Sequence, residues 1–436
     1  MVLGAVLNPV NSSMIAVALV PIGAAFGAVP AETAWLVSAL YLATATGQPV
    51  VGRLVDRFGP RPLYLIGTGM VGVAGMIGAL APSLGVLIAA RVLLGFGTCA
   101  GYPAAMYLVR REAERTGTDR PAGVLTLLTV SAQTIVVIGP TFGGLLIGAG
   151  GWRTILAVNV PLAAACLILG LRRLPRTPAA PATTGFDLLG IGLFAGMLTV
   201  LMIFLMDPAV PRLWPAGLAV LLGAAFALRE LRTADPFIDL RVFGGNAPLI
   251  ATYARTLLAQ TVGYAILYGF TQWLEAGRGL SASHTGLILM PMSVVAIGAA
   301  ALAGRSPGVR GKLLTGAVAQ VAAGLLMLRS DARSPIWLLL LIAVICGLPQ
   351  GLHTLANQNA LYHQADPARI GASAGLLRTF NYLGAMVASA AYGVFFRHGA
   401  AGATGLHHFT LFLLAVATAL LLLIAADRSL SRSASS

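Results

Sequence analysis

Apolar residues run along this chain in long unbroken blocks, separated by short polar stretches. Each block is roughly 20 residues long, the length an α-helix needs to cross a bilayer core. Fourteen blocks can be placed, at 3–27, 33–52, 62–82, 84–108, 121–148, 153–171, 186–206, 213–229, 247–274, 283–304, 312–329, 335–359, 370–396 and 406–426. They are continuous rather than alternating, which does not fit a membrane β-barrel. The pattern predicts an all-α polytopic membrane protein with fourteen transmembrane helices. The shortest block, 213–229, has Pro215 near its edge.

Composition agrees with the pattern. The 436 residues are 58% hydrophobic and 10% charged, where a soluble chain carries about 25% charged residues. The net charge of +14 invites a nucleic-acid reading, but its distribution opposes one. With both termini inside, the cytoplasmic loops and tail hold 19 of the 28 basic residues, the outer loops 6 and the spans 3. That asymmetry is the positive-inside pattern. Clusters such as Arg110, Arg111, Arg115 and Arg120, or Arg172, Arg173 and Arg176, are topology signals on this reading. The expected partner is the lipid bilayer of a bacterial-type inner (plasma) membrane, with no nucleic acid.

Several chemistries have no foothold. Cys99, Cys166 and Cys346 all fall inside predicted spans, without a C-x-x-C pair. The six histidines lack zinc-site spacing, and no P-loop or G-x-S-x-G elbow is present. The sequence therefore predicts neither an enzyme nor a cofactor or metal site. The first span is long and lacks a small-residue cleavage site, so no cleavable signal peptide is expected.

The connection Gly52-Arg53-Leu54-Val55-Asp56-Arg57-Phe58-Gly59-Pro60-Arg61 carries one acid and three arginines among its glycines, and reads as a tight basic loop between the second and third spans. Gly304 to Lys312, between the tenth and eleventh spans, looks like a decayed copy in which glycines and cations survive and the acid is gone. Half-to-half similarity of this kind suits a transporter built from duplicated bundles. The organisation expected is an amino-terminal six-helix bundle at 1–174, a linker with two inserted helices at 175–246, a carboxy-terminal six-helix bundle at 247–427 and a tail at 428–436.

The 52–61 stretch resembles the G-x-L-x-D-R-x-G-x-R/K signature of the major facilitator superfamily of secondary transporters. Arg91 with Gly95 and Gly97 is similar to that family's R-x-x-x-G element. Gly139-Pro140-Thr141-Phe142-Gly143-Gly144 is similar to the G-P-x-x-G-G element of its antiporters. Gly151-Trp152-Arg153, Asn159-Val160-Pro161, Asn11 to Leu19 and the run Pro236 to Phe243 resemble the fourteen-helix drug:proton antiporter branch. The resemblance covers essentially the whole chain. It implies the major facilitator fold and a gating role for Gly52, Asp56, Arg57, Gly59 and Arg61, with Asp56 facing the start of the thirteenth span near Gly371 to Ser373.

Each element also has a plainer reading. Gly139, Pro140, Gly143 and Gly144 can serve close helix contact and a kink, and Asp56 can pair with Arg57 or Arg61. Arg91, Arg255 and Arg378 lie within spans, where a charge costs roughly 2.5–3.5 kcal/mol. Arg255 and Arg378 are close enough to a span end to snorkel. His353, Asn357, Gln358 and Asn359 form a polar cluster that fits a packed interface or a pathway lining.

One departure stands out. Asn11 occupies the place where the branch carries Asp, and no carboxylate falls at mid-membrane. Glu275, near the outer end of the ninth span, Asp56 and His353 are the remaining candidates for a proton-responsive group. The expectation is a secondary active transporter exporting hydrophobic or amphipathic small molecules by alternating access, with protons as a possible counter-ion. The expected cavity is lined by Asn11, Tyr41, Gln48, Gln133, Arg255, Gln260, Tyr264, Tyr268 and Gln272. A transporter of one metabolite or secondary product is the alternative. A transport-inactive receptor or scaffold is a third reading, which the intact gating motifs oppose.

Overall fold

The computed structural model describes residues 2–116, 122–175, 187–208, 213–233, 236–303, 308–365, 370–396, 403–427 and 429–432. The side chains of Asp56 and Gln133, the linker at 176–186 and the Gly304–Pro307 part of the second loop lie outside the described residues. Among the described residues every element is helical.

The chain opens with α1 (Val2–Met14), a 3-10 turn (Ile15–Ala18) and α2 (Leu19–Phe26). α3 (Pro30–Phe58) has Pro30 in its first turn, and Glu32 accepts the Val29 amide at 3.0 Å, a satisfied helix start. α4 (Pro60–Ala79), α5 (Leu84–Thr98), α6 (Gly101–Thr116), α7 (Ala122–Gly150), α8 (Thr154–Ala157) and α9 (Asn159–Arg173) complete the first group. α10 (Leu188–Met206) and α11 (Trp214–Arg232) follow, then a 3-10 turn at Leu240–Phe243. α12 (Ala247–Ala265) runs into two π-helical turns, Ile266–Phe270 and Trp273–Gly277. The second group continues with α13 (Ala282–Ala303), α14 (Val309–Leu328), α15 (Ile336–Gln364), α16 (Ile370–Phe395), α17 (Ala403–Ala426) and the short α18 (Ser429–Arg432).

The 52–61 stretch is not the loop expected. Gly52 to Phe58 continue α3, Gly59 alone makes the turn at φ +82°, and α4 begins at Pro60. Only glycine enters that region without strain, and Pro60 suits a first helical turn. Charged residues near a membrane surface need not break a helix, because long side chains carry their heads to water.

Ten helices among the described residues are long and apolar enough to cross a membrane, including α11, the weakest expected span. α3, α12 and α16 are not among the ten. These carry Gln48, Gln260 and Asn381, polar groups that a helix tolerates when it faces other helices rather than lipid. By contrast, α10 and α11 expose Leu188, Leu189, Val220 and Leu221, an apolar face that suits hydrocarbon.

The first group packs through α1 on α7, α3 on α5, and α4 on α5 and α9. The second packs through α12 on α16, α13 and α14 on α15, and α14 on α17. The groups meet along a seam where α3 lies on α16 and α7 on α13. α10 buries a stripe spaced every fourth residue, Gly190, Phe194, Leu198, Met202 and Met206, and lies against α11, α3 and α16.

Candidate functional site: the seam between two helix groups

The seam is tight at one end. There Thr33 Oγ1 and the Tyr392 hydroxyl lie 3.0 Å apart, and Ser389 donates to the Ala34 carbonyl at 2.8 Å. On the α7–α13 side, Thr141 donates to the Gly286 carbonyl at 2.8 Å, and Ser283 to the Gly144 carbonyl at 2.9 Å. Phe26 stacks edge-on against Trp152, which places these contacts at the Pro30 end of the molecule.

The G-P-x-x-G-G element supplies the close approach. A Cβ at Gly144 would collide with the Ala282 carbonyl, and one at Gly286 would come 2.9 Å from the Pro140 carbonyl. Gly139 and Gly143 face α1 instead, against Ser13 and Met14. Small residues thus bring α7 into backbone contact with both groups at once.

Toward the Phe58 end fewer described contacts cross the seam. A Cβ at Gly52 or at Gly375 would meet nothing within 4 Å among the described residues. Two described contacts bridge the groups before that point. Tyr382 donates to Gln48 Oε1 at 2.7 Å, and the Arg378 guanidinium lies 3.5 Å from the centre of the Tyr102 ring. Arg378 therefore engages an aromatic face across the seam rather than snorkelling.

Between the two ends sits a tyrosine cluster. The Tyr41 and Tyr268 hydroxyls are 3.4 Å apart, and Tyr268 also donates to the Ser12 carbonyl at 3.4 Å. Tyr41 packs edge-on to Tyr264 at 5.5 Å and lies 5.8 Å from Tyr382. Tyr41, Tyr264 and Tyr268 thus pack together with Tyr382, and Gln48 reaches them through its bond to Tyr382. Such rings combine apolar faces with hydroxyl tips, and Tyr41 and Tyr268 are buried here.

Other expected lining residues sit elsewhere. Asn11 and Asn159 exchange two side-chain hydrogen bonds, at 2.6 and 2.8 Å, inside the first group. Asn11 therefore ties α1 to α9 instead of lining a cavity with the tyrosines. Arg255 neither snorkels nor lines the cluster; it is buried and ion-paired with Asp427 just beyond α17. Arg91, 1% exposed, holds the Leu36 carbonyl at 2.9 Å and the Asn11 carbonyl at 3.2 Å, which fastens α5 to α3 and α1. Gln272 accepts from Tyr392 at 2.9 Å beside the Pro30-end contacts.

The two candidate titrating groups lie apart from the tyrosines' hydrogen bonds. Glu275 is buried in the second π turn, and its Oε1 has no partner among the described residues. π turns inside helices recur at functional sites. His353 turns Nε2 to the Leu313 carbonyl at 3.2 Å, which makes Nε2 the protonated nitrogen and Nδ1 an acceptor. It lines a cavity of about 20 Å³ with Gln260, Gln320, Gln350 and Thr354, room for about one water. Of the 52–61 cations, Arg61 caps the Leu171 carbonyl at 3.0 Å, Arg53 bonds the Pro236 carbonyl, and Arg57 lies over the Phe58 ring.

A profile of the Major Facilitator Superfamily matches residues 1–389. The chain belongs to that superfamily. It is 33% identical to the uncharacterized MFS-type transporter YwoD of Bacillus subtilis, over 90% of this chain and 88% of that protein. It is 32% identical to a multidrug resistance protein B homolog of Mycobacterium tuberculosis, over 74% of this chain and 61% of that protein. Among solved structures it is similar to a mutant of the nucleoside transporter NupG, with a TM-score of 0.69, 11% identity and 98% of each chain covered. That likeness concerns the fold. The chain is a multi-pass membrane transporter of the superfamily and not an enzyme.

Proposed function

We propose that this transporter exports hydrophobic or amphipathic small molecules across the plasma membrane by alternating access, with protons as counter-ion. The observation that carries the reading is the uneven seam, closed at the Pro30 end and crossed by fewer described contacts at the Phe58 end, with tyrosines between. A bundle that closes at one end and parts at the other presents a central site to one side at a time. The positive-inside pattern assigns the Phe58 end to the cytoplasm, so this state faces inward. The drug-resistance name of one relative supports the substrate class.

In this account the groups on either side of the seam, 1–174 and 247–427, rock against each other, and α10 and α11 ride on their flank. Asp56, on the last turns of α3, meets the start of α16 when the Phe58 end closes. There a carboxylate faces the positive end of a helix, a contact of roughly 0.3–2 kcal/mol. Glu275 takes the proton. It is buried in the π turn that continues α12, three positions after the tyrosine-bonded Gln272, where a charge is costly without a partner. Uptake of ethidium into inverted vesicles under an imposed pH gradient tests the reading. Accumulation that collapses with the gradient supports it, and none in any gradient refutes it.

A further inference from the structure

The α10–α11 pair carries a site outside the seam. Asp187 caps α10, its Oδ1 accepting the Gly190 amide at 2.8 Å. The same oxygen takes Nε and Nη2 of Arg229 on α11, at 2.8 and 2.7 Å. Burial alone would raise the Asp187 carboxyl, but Arg229 and the Gly190 amide outweigh it and hold Asp187 below the usual carboxylate range. Oδ2 has no partner among the described residues. Glu230, 0% exposed, accepts the Ile238 amide on Oε2 at 2.6 Å, and its Oε1 likewise has no partner among the described residues.

The two free oxygens face each other. A Cβ added at Gly190 would collide with both Glu230 Oε1 and Asp187 Oδ2. Two ionised carboxylates at one buried point repel, so one of them keeps its proton. A single proton between Oε1 and Oδ2 pairs both atoms and leaves one negative charge, which Arg229 balances. The other charged groups nearby have partners of their own, though Arg53 keeps its charge and acts on Glu230. Arg53 on α3 bonds the Pro236 carbonyl, Arg241 donates to the Thr233 carbonyl at 2.8 Å, Asp239 accepts the Arg241 amide, and on α16 Arg378 covers Tyr102.

We propose that Asp187 and Glu230 form a proton-binding site holding one shared proton, and that this proton fastens the α10–α11 pair to the end of α3. The fastening runs from Arg53 through the Pro236–Ile238 segment to Glu230. Raising the pH removes the proton and leaves two like charges. Glu230 is then driven from Asp187 and the hold on the segment slackens. The tether is therefore present below the pair's titration and lost above it. The site stands without the transport reading; only its effect on opening of the Phe58 end rests on that reading.

Infrared spectra of the full-length protein in nanodiscs test the site. In a Glu275→Gln background, which removes the other buried carboxyl, a carboxylic-acid band should be present at neutral pH, disappear in alkali, and be missing when Glu230→Gln is added. Gly190→Ala keeps every ionisable group but wedges the two oxygens apart, so it should lose the band as well. Once rates are divided by the thiolate fraction, a cysteine at Leu54 should label several-fold faster in alkali than at neutral pH, and Glu230→Gln, whose amide donates permanently, should abolish that remaining pH dependence. A band that persists in both variants, or thiolate-corrected labelling that stays pH-dependent in Glu230→Gln, overturns the proposal. Vesicles that fail to transport ethidium while these responses hold would refute the transport reading alone.

Discussion

Tyr382 on α16 donates its hydroxyl to Gln48 on α3 at 2.7 Å, across the seam and at the point where described contacts between the groups become fewer. This bond sits beside the tyrosine cluster, since Tyr382 also lies 5.8 Å from Tyr41. It links the central surface to the Phe58 end. Tyr382→Phe keeps the ring and removes one hydrogen bond worth about 1 kcal/mol. The expected result is a shift of roughly fivefold away from the state open at the Phe58 end, the state that holds this bond. Labelling of a cysteine at Gly375 should slow accordingly, while ring contacts keep the protein folded.

Glu275→Gln keeps the shape of the buried side chain and removes its proton. Gradient-driven ethidium transport should be lost while downhill exchange continues. Normal coupling in this variant would move the proton role to another group, with His353 next in line.

The Gly144 contact sets a steric limit. Gly144→Ala places a methyl against the Ala282 carbonyl. Overpacking of this kind costs about 1–3 kcal/mol, borne by the state closed at the Pro30 end. Transport should fall at least fivefold with normal membrane insertion, and an introduced cysteine at Ala31 should become more accessible.

Asp427 and Arg255 give a pH-dependent signature. Burial alone would raise the Asp427 carboxyl, but hydrogen bonds from Ser429 and the Arg255 charge hold it below the usual carboxylate range. A depressed carboxylate contributes stability that is complete above its unfolded pKa of about 3.9 and lost as pH falls through the folded value. Asp427→Asn leaves Arg255 buried without its counter-charge, at a cost of about 3–5 kcal/mol. The wild-type melting temperature in detergent should exceed that of the variant at neutral pH, and the gap should narrow in strong acid.

The helix number and orientation are testable with reporter fusions. Those after Arg176 and Arg241 should read cytoplasmic, and one after Asp207 external. A result that leaves 186–229 outside the bilayer would remove the two inserted spans.

Much of this was legible in the chain because hydropathy over a full helix is a strong signal. Position within the bundle was less legible. Asn11 and Gln48 look alike as polar residues in apolar spans, yet one pairs with Asn159 within a group and the other with Tyr382 across the seam. The difference depends on which face of each helix meets which neighbour, and that is a tertiary fact. Arg255 finds its counter-ion 172 residues away. The Asp187–Glu230 convergence was missed because carboxylates at span ends read as solvated. The 52–61 stretch looks like a loop in the sequence because its charge density masks the helical continuity of α3.

Alternating access requires that the seam open at one end while it closes at the other. Spin labels at Gly52 and Gly375 report the Phe58 end, and labels at Ala31 and Gly393 report the Pro30 end. Distance distributions from pulsed electron resonance, with and without ethidium at two pH values, should shift in opposite directions for the two pairs. Distances that stay fixed at both ends, or that lengthen together, would contradict alternating access in this protein.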